Sequence, residues 1–185
     1  MQKEKVVLVL FCICLPFFVL LLSYKVVFAV TPLSVGQGEW MNYFIGHSAV
    51  PGGYTTDEIS HMQDVKEVML GANLVFEILV FVIVGCGWYL ISVDRWKEGL
   101  YYGGICTGGF VTIILLFLLI DFNSVFILFH RLFFSQGNWQ FTADSLLIQT
   151  FPLEFFIEMA VKIFGLALVL ALGMSGGGYW LKREK

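Results

Sequence analysis

Apolar residues fill four long stretches of this chain, and most polar residues lie between them. The stretches run from about Val6 to Val30, Met69 to Val93, Leu100 to Ile120, and Phe155 to Leu181. A helix that crosses a bilayer needs roughly 20 consecutive apolar residues. The pattern therefore predicts an all-α membrane protein with four transmembrane helices, at about 6–30, 69–93, 100–120 and 155–181, in a single polytopic domain covering residues 1–185.

Basic residues near the predicted helix ends indicate the topology. They fall on one side of the membrane: Lys3, Lys5, Arg95, Lys97, Lys182, Arg183 and Lys185. Basic residues favour the cytoplasmic side, so we expect both termini in the cytoplasm and the connections at about 31–68 and 121–154 facing outward. The first apolar stretch exceeds the 7–15 residues typical of a cleaved signal core, which favours an uncleaved helix.

Composition supports the membrane assignment and narrows the partners. Hydrophobic residues make up 58% of the chain, and the formal net charge is −3. The mean hydropathy is +0.84. The sequence contains no basic patch for nucleic acid and no GxxxxGK[ST] motif for a nucleotide. The four cysteines all lie in predicted spans, where we interpret them as packing residues, and Gly104-xxx-Gly108 and Gly173-xxx-Gly177 predict close helix packing.

The first outward connection contains a histidine beside a carboxylate. Thr55 and Glu58 have the spacing of a capping box, and apolar residues then recur every three or four positions. This pattern predicts a helix at the membrane surface that leads into the second span. His61 and Asp64 are three apart on it, close enough for the carboxylate to orient the ring. Surface helices also carry such pairs by chance.

The second outward connection contains a short apolar segment, residues 122–134. It is too short to span, so it predicts a re-entrant or interfacial helix, capped by Asn123 or Ser124. His130 and Arg131 would lie at the outer water–lipid boundary, with Trp139 in the following turn at the interface. As a structural alternative, the ring of His130 only snorkels or bonds to a loop.

Two histidines at one outer boundary favour proton-transfer chemistry. An imidazole exchanges a proton near neutral pH, so His61 and His130 are candidates for acid and base. They would also suit a metal, but Asp64 is the one further ligand nearby and the ligand set would be small. We therefore expect no metal or cofactor. His47 is interpreted as solvated. Deeper in the membrane, we favour a Glu77–Lys162 ion pair, with Glu158 as a competing partner for Lys162 and Lys25 snorkelling.

Four motifs in order resemble the lipoprotein intramolecular transacylase family of Gram-positive bacteria. They are "SHMQDVK" (60–66), "FHRLFF" (129–134), "NWQF" (138–141) and "LIQTFPLEFF" (147–156). The resemblance implies a multi-pass enzyme of the bacterial cytoplasmic membrane with an outward-facing active site. Its substrates would be diacylglyceryl-modified lipoproteins in membrane lipid. Such an enzyme moves the sn-2 acyl chain to the α-amine of the N-terminal cysteine, giving a lyso-form lipoprotein without ATP.

The same resemblance implies roles for individual residues. His61 and His130 would share the base and acid steps, in an order left open, and Asp64 would orient His61. Arg131 or Asn138 would contact the oxyanion or the lipid head group. Aromatic side chains would hold acyl chains, namely those of Phe129, Phe133, Phe134 and Trp139. Two alternatives remain from the sequence: a metal-dependent membrane hydrolase using His61, Asp64 and His130, and a non-catalytic scaffold for envelope proteins.

Overall fold

All the regular secondary structure of the described residues is α-helical. A computed structural model describes residues 2–134 and 136–183, so Lys185, which contributed to the topology prediction, lies outside the described residues. The helices are α1 (Gln2–Val30), α2 (Val35–Phe44), α3 (Thr56–Ser92), α4 (Trp96–Ile120), α5 (Phe122–Phe133), α6 (Leu146–Thr150) and α7 (Leu153–Arg183). Four of them, α1, α3, α4 and α7, are long and apolar enough to cross a membrane, and α5 is a shorter apolar helix.

Helix α3 joins the predicted surface helix and the second span without a break. It begins at the predicted capping box, in which the Thr55 side chain accepts from the Glu58 amide and the Glu58 side chain accepts from the Thr55 amide. Its 37 residues make a helix roughly 55 Å long, which exceeds the bilayer core of about 30 Å. Residues 56–68 carry all the charged side chains of α3 except Glu77, so this part lies outside the apolar span.

The closest packing in the bundle is between α4 and α7. A Cβ added at Gly104 would lie 2.5 Å from the Ser175 nitrogen, and one at Gly178 would lie 2.5 Å from the Tyr101 nitrogen. The glycine prediction is therefore confirmed for Gly104. It is wrong for Gly173 and Gly177, where an added Cβ would meet nothing within 4 Å. Their glycine motif lies on the wrong face of α7, and Gly178 makes the contact instead.

A second buried cluster, outside the span core, joins α2 and α6 to the first turns of α3. Its members are Trp40, Phe44, Met62, Leu147 and Phe151. The sequence prediction contained neither α2 nor α6. Helix α2 begins at a capping box formed by Ser34 and Gln37, and the Gln37 side-chain amide donates to the Thr150 carbonyl at 2.9 Å. These contacts fix the part of α3 that carries His61.

Three local predictions are corrected. Lys162 pairs with Glu158 at 2.6 Å, one helical turn away, so the favoured Glu77–Lys162 pair is wrong, and the Glu77 side chain is exposed. Lys25 does not only snorkel, because it donates to Asn73 Oδ1 at 2.6 Å. The α5 cap is Asp121 and not Asn123 or Ser124, because the helix begins at Phe122 and the Asp121 carboxylate accepts from the Ser124 amide at 3.1 Å.

Candidate active site

The structure brings the two predicted histidines together. His61 is on α3 and His130 is on α5, and their ring centroids are 6.0 Å apart with the planes at 26°. Both side chains are buried, with 6% and 7% of their surfaces exposed. Two imidazoles at this separation can both reach one small reacting group placed at the edge of the pair, which is the arrangement that shared acid–base chemistry requires.

Helix α5 fixes the ring orientation of His130. Its Nδ1 lies 2.8 Å from the Phe126 carbonyl oxygen, one turn earlier. A carbonyl oxygen only accepts hydrogen bonds, so Nδ1 carries the proton and donates it. In the neutral ring the lone pair is then on Nε2. The backbone of α5 therefore holds His130 in the tautomer that presents Nε2 as a base.

The position of His61 depends on Glu58, one turn earlier on α3. The Glu58 carboxylate is 2% exposed, and it accepts from the Thr55 amide at 2.7 Å and the Leu147 amide at 2.8 Å. Burial on its own would raise the pKa of Glu58, but these backbone donors hold it below its usual value. The charged carboxylate thus ties the start of α3 to the start of α6.

Aromatic rings surround the histidine pair. Phe134 is 4.7 Å from the His61 ring, and Phe141 is 5.8 Å from it. Trp139 lies 5.0 Å from the His130 ring and Phe129 lies 5.7 Å from it. Phe134 and Trp139, two of the residues predicted to hold acyl chains, pack directly against the histidine rings. Phe129, a third, contacts His130 and is about half exposed.

Phe133 is the exception among those predicted residues. Its ring packs against the Phe129 ring, with the centroids 4.7 Å apart and the planes tilted by 41°, and 47% of its surface is exposed. Leu128 and Leu132 on the same helix are also exposed. These side chains give α5 an apolar outer surface that leads up to the histidines.

Asp64 is close to the pair, but it does not orient His61 by a hydrogen bond in the described part of the chain. Its carboxylate accepts instead from Asn138 Nδ2 at 3.2 Å and from Gln136 Nε2 at 3.5 Å. Asn138 Nδ2 also donates to the Ser60 hydroxyl at 3.1 Å. Asp64 therefore holds the segment after α5 against α3, and it acts on His61 as a nearby negative charge.

Burial keeps both imidazoles neutral. It lowers the pKa of His61 to about 4, with a further lowering from His130, while Asp64 opposes the shift. Burial also lowers the pKa of His130, against the opposing effect of the bond to the Phe126 carbonyl. A neutral ring can accept a proton, so both histidines are in their basic form near pH 7.

Arg131 and His47 are not buried with the pair. Arg131 is exposed, and no hydrogen bond or ion pair of this side chain occurs within residues 2–134 and 136–183. His47 is exposed, as expected for a solvated residue. Over the same residues, no three His, Cys, Asp or Glu side chains gather as a potential metal site. The three ligands of the hydrolase alternative, His61, Asp64 and His130, therefore do not form a ligand cluster.

Sequence reasoning missed two residues that shape the site, Ser60 and Phe141. Ser60 and Asp64 are four apart on α3, so their spacing alone indicates that they share a helix face. The structure shows that both bind Asn138. Phe141 closes the site over His61 from the loop after α5. Its position has no local signal, because it depends on how that loop folds back onto α3.

Four long apolar helices among the described residues and a buried histidine pair are the features of a multi-helix integral membrane protein with a candidate acid–base site. Residues 51–156 match the family described as lipoprotein intramolecular transacylase Lit. This match covers more than half of the chain. The protein therefore belongs to the lipoprotein intramolecular transacylase family, and it is an acyltransferase that acts on lipoproteins.

Solved structures share the fold. The membrane integral lipoprotein intramolecular transacylase Lit from Bacillus cereus has a TM-score of 0.78 and 22% identity, covering 99% of this chain and 95% of that one. A variant with one histidine replaced by arginine has a TM-score of 0.78 and 20% identity, covering 99% and 93%. A variant with one histidine replaced by alanine has a TM-score of 0.79 and 20% identity, covering 99% of this chain and 95% of that one. The comparison with curated proteins gave no match.

Proposed function

We propose that this protein moves the sn-2 acyl chain of a diacylglyceryl-modified lipoprotein to the α-amine of its N-terminal cysteine, which yields a lyso-form lipoprotein. The observation that carries the proposal is the pair of His61 and His130 rings, 6.0 Å apart and buried among aromatic side chains. Such an apolar environment accommodates a lipid ester and also favours the neutral form of the two imidazoles.

The transfer exchanges an ester for an amide within one molecule. The neutral amine nitrogen attacks the sn-2 carbonyl carbon, forming the C–N bond, and the bond from that carbon to the glyceryl oxygen breaks. One amine proton leaves the nitrogen, and the glyceryl oxygen gains one. We assign the first proton to Nε2 of His130, whose lone pair the Phe126 bond leaves available, and the protonation of the leaving oxygen to the imidazole pair. Holding amine and ester together contributes to the rate by proximity.

The site is proposed to face outward in the bacterial cytoplasmic membrane, with both termini in the cytoplasm. Basic residues at the ends of α1, α4 and α7 favour this orientation. Exposed Leu128 and Leu132 on α5 would then lie in the outer lipid boundary, and exposed Arg131 between them would contact a lipid phosphate. Phe129 and Phe133 would guide the acyl chains towards His130.

The proposal is tested by expressing this chain in a bacterium whose lipoproteins are only diacylated. Tandem mass spectrometry of one lipoprotein's N-terminal peptide then locates the acyl chains. Wild type should place one chain on the cysteine amine, and His61→Ala and His130→Ala should leave the peptide unchanged although both insert in the membrane. His47→Ala is the matched control and should behave as wild type.

Other outcomes separate the alternatives. Acyl transfer by both site variants would contradict the assignment of the two histidines. Loss of an acyl chain without its appearance on the amine would indicate a hydrolase. If wild type is inserted in the membrane and the diacylglyceryl peptide is unchanged, the result would favour the scaffold function.

A further inference from the structure

The side-chain amide of Asn138 has a fixed orientation. Its Nδ2 lies 3.2 Å from a carboxylate oxygen of Asp64 and 3.1 Å from the Ser60 hydroxyl. An ionised carboxylate only accepts hydrogen bonds, so the nitrogen of the amide, and not its oxygen, must face Asp64. Each of the two amide hydrogens then has a partner. Oδ1 of Asn138 consequently points away from Asp64.

This oxygen is left without a partner. Oδ1 of Asn138 is buried and accepts no hydrogen bond in the described structure, and Nδ1 of His61 is buried there without a hydrogen-bond partner. Buried acceptors in folded proteins are nearly always paired, because an unpaired one has lost its hydration without compensation. The two atoms belong to one neighbourhood, since Ser60 precedes His61 on α3 and Trp139, next to Asn138, packs on His130.

The missing partner must be a hydrogen-bond donor, because an amide oxygen has no proton to give. The ester and the glyceryl oxygen that react in the proposed transfer offer acceptors only. The α-amine of the substrate is the reacting group that carries N–H bonds, and it must sit beside an imidazole to lose a proton. The amine therefore has the chemistry that Oδ1 lacks.

We propose that Asn138 Oδ1 accepts a hydrogen bond from the α-amine of the lipoprotein's N-terminal cysteine and so selects substrates with a free amine. This assignment rests on the proposed function. A donor role for Asn138 at the oxyanion does not fit the arrangement, since Asp64 and Ser60 occupy both amide hydrogens. Asp64 acts here through Asn138, as a positioning residue.

The proton inventory of the amine agrees with this role. A neutral amine has two N–H bonds and one lone pair. One N–H donates to Asn138, the other faces the imidazole that removes its proton, and the lone pair is directed at the ester carbonyl carbon. After transfer, the product amide keeps one N–H, which still donates to Asn138.

Two non-reactive substrate analogues test the inference without requiring turnover. Both are short peptides with a diacylglyceryl thioether in which the sn-2 ester is replaced by an ether, and the second lacks only the α-amine. Their affinities are measured for purified protein in detergent micelles by microscale thermophoresis. Wild type should bind the amine analogue about tenfold more tightly, as expected for one hydrogen bond. Asn138→Ala should bind the two within about twofold.

Gln136→Ala is the matched control, because it lies in the same loop and donates to the same carboxylate without touching Oδ1. It should keep the wild-type preference. Asn138→Ser replaces the alanine variant if the latter does not insert. Equal binding of both analogues by wild type, or a preference retained without Asn138, would overturn the inference. If wild type prefers the amine analogue but does not transfer the acyl chain of the ester peptide, only the proposed function is contradicted. If it transfers the acyl chain but has no preference between the analogues, only the role of Asn138 is contradicted.

Discussion

Oε1 of Glu58 accepts the backbone N–H of Leu147 at 2.8 Å, which joins the beginning of α3 to the beginning of α6. The second carboxylate oxygen accepts from the Thr55 amide and the Thr55 hydroxyl. Leu147 packs in the cluster that also contains Met62, the neighbour of His61. The buried Glu58 carboxylate, which accepts from backbone amides and a hydroxyl, thus helps to position His61, one of the two catalytic candidates.

Glu58→Ala should lower the free energy of unfolding by about 1.5–3 kcal/mol, the range for buried hydrogen bonds to a charged group. Acyl transfer should fall as well, because the turn before His61 loses its link to α6. Thermal unfolding in detergent and the mass-spectrometric transfer assay measure the two effects. Glu67→Ala, an exposed carboxylate of the same helix, should change neither. Equal stability of the two variants would show that the Leu147 bond is unimportant.

Gly104→Ala and Gly178→Ala should each destabilise the α4–α7 contact. The added methyl group would lie 2.5 Å from a backbone nitrogen of the facing helix, so the helices must separate, at a cost of about 1–3 kcal/mol or more. Gly173→Ala is the control, since its methyl group meets nothing within 4 Å. Unfolding temperatures of the three purified variants in one detergent check the order. A Gly173 variant as unstable as the others would contradict the packing.

Asp64→Ala should release the segment after α5. The carboxylate accepts from Gln136 and Asn138. Without it, the Ser60 hydroxyl is the remaining hydrogen-bond partner of the Asn138 side chain among the described residues. Amide hydrogen exchange in peptides covering residues 136–141 should become faster, and acyl transfer should decrease without loss of membrane insertion. Gln63→Ala, an exposed neighbour on α3, should leave exchange unchanged. Unaltered exchange in the Asp64 variant would mean that other contacts hold this segment.

Local sequence signals predicted the parts of this protein that depend on short-range physics. The four candidate spans follow from apolar length, and the start of α3 follows from the spacing of Thr55 and Glu58. The meeting of His61 and His130 was expected from a common outer face and from the family motifs. The topology used for that expectation stays a prediction.

Other features depend on contacts that no local pattern contains. The stretch that forms α2 includes two glycines, so its helical propensity is low, and it is stabilised by packing and by Gln37 binding the Thr150 carbonyl. Its capping residues Ser34 and Gln37 were the available signal. The partner of Lys162 was mispredicted because depth alone does not tell which helix faces point towards each other, and α7 supplies Glu158 one turn away.

The pH dependence of transfer should follow the substrate amine and not the histidines. In the folded protein the pKa of His61 is lowered to about 4, and that of His130 also lies below its ordinary value. His61 therefore stays neutral, and able to accept a proton, as the pH falls through about 6.5, and His130 takes up a proton only at a lower pH than an ordinary imidazole. An α-amine has a pKa of about 7.7–8.0 and attacks only when neutral.

The rate should accordingly rise about tenfold per pH unit below pH 7 and level off near pH 8. Initial rates with a synthetic diacylglyceryl peptide, from about pH 5.5 to 9, check this profile. A second peptide, whose electron-withdrawing substituent lowers the amine pKa, should shift the break downward by the same amount. The shift identifies the amine, because the protein is unchanged between the two measurements. A break that stays near pH 6.5 with both peptides would instead report an imidazole with an ordinary pKa and contradict the effect of burial at this site.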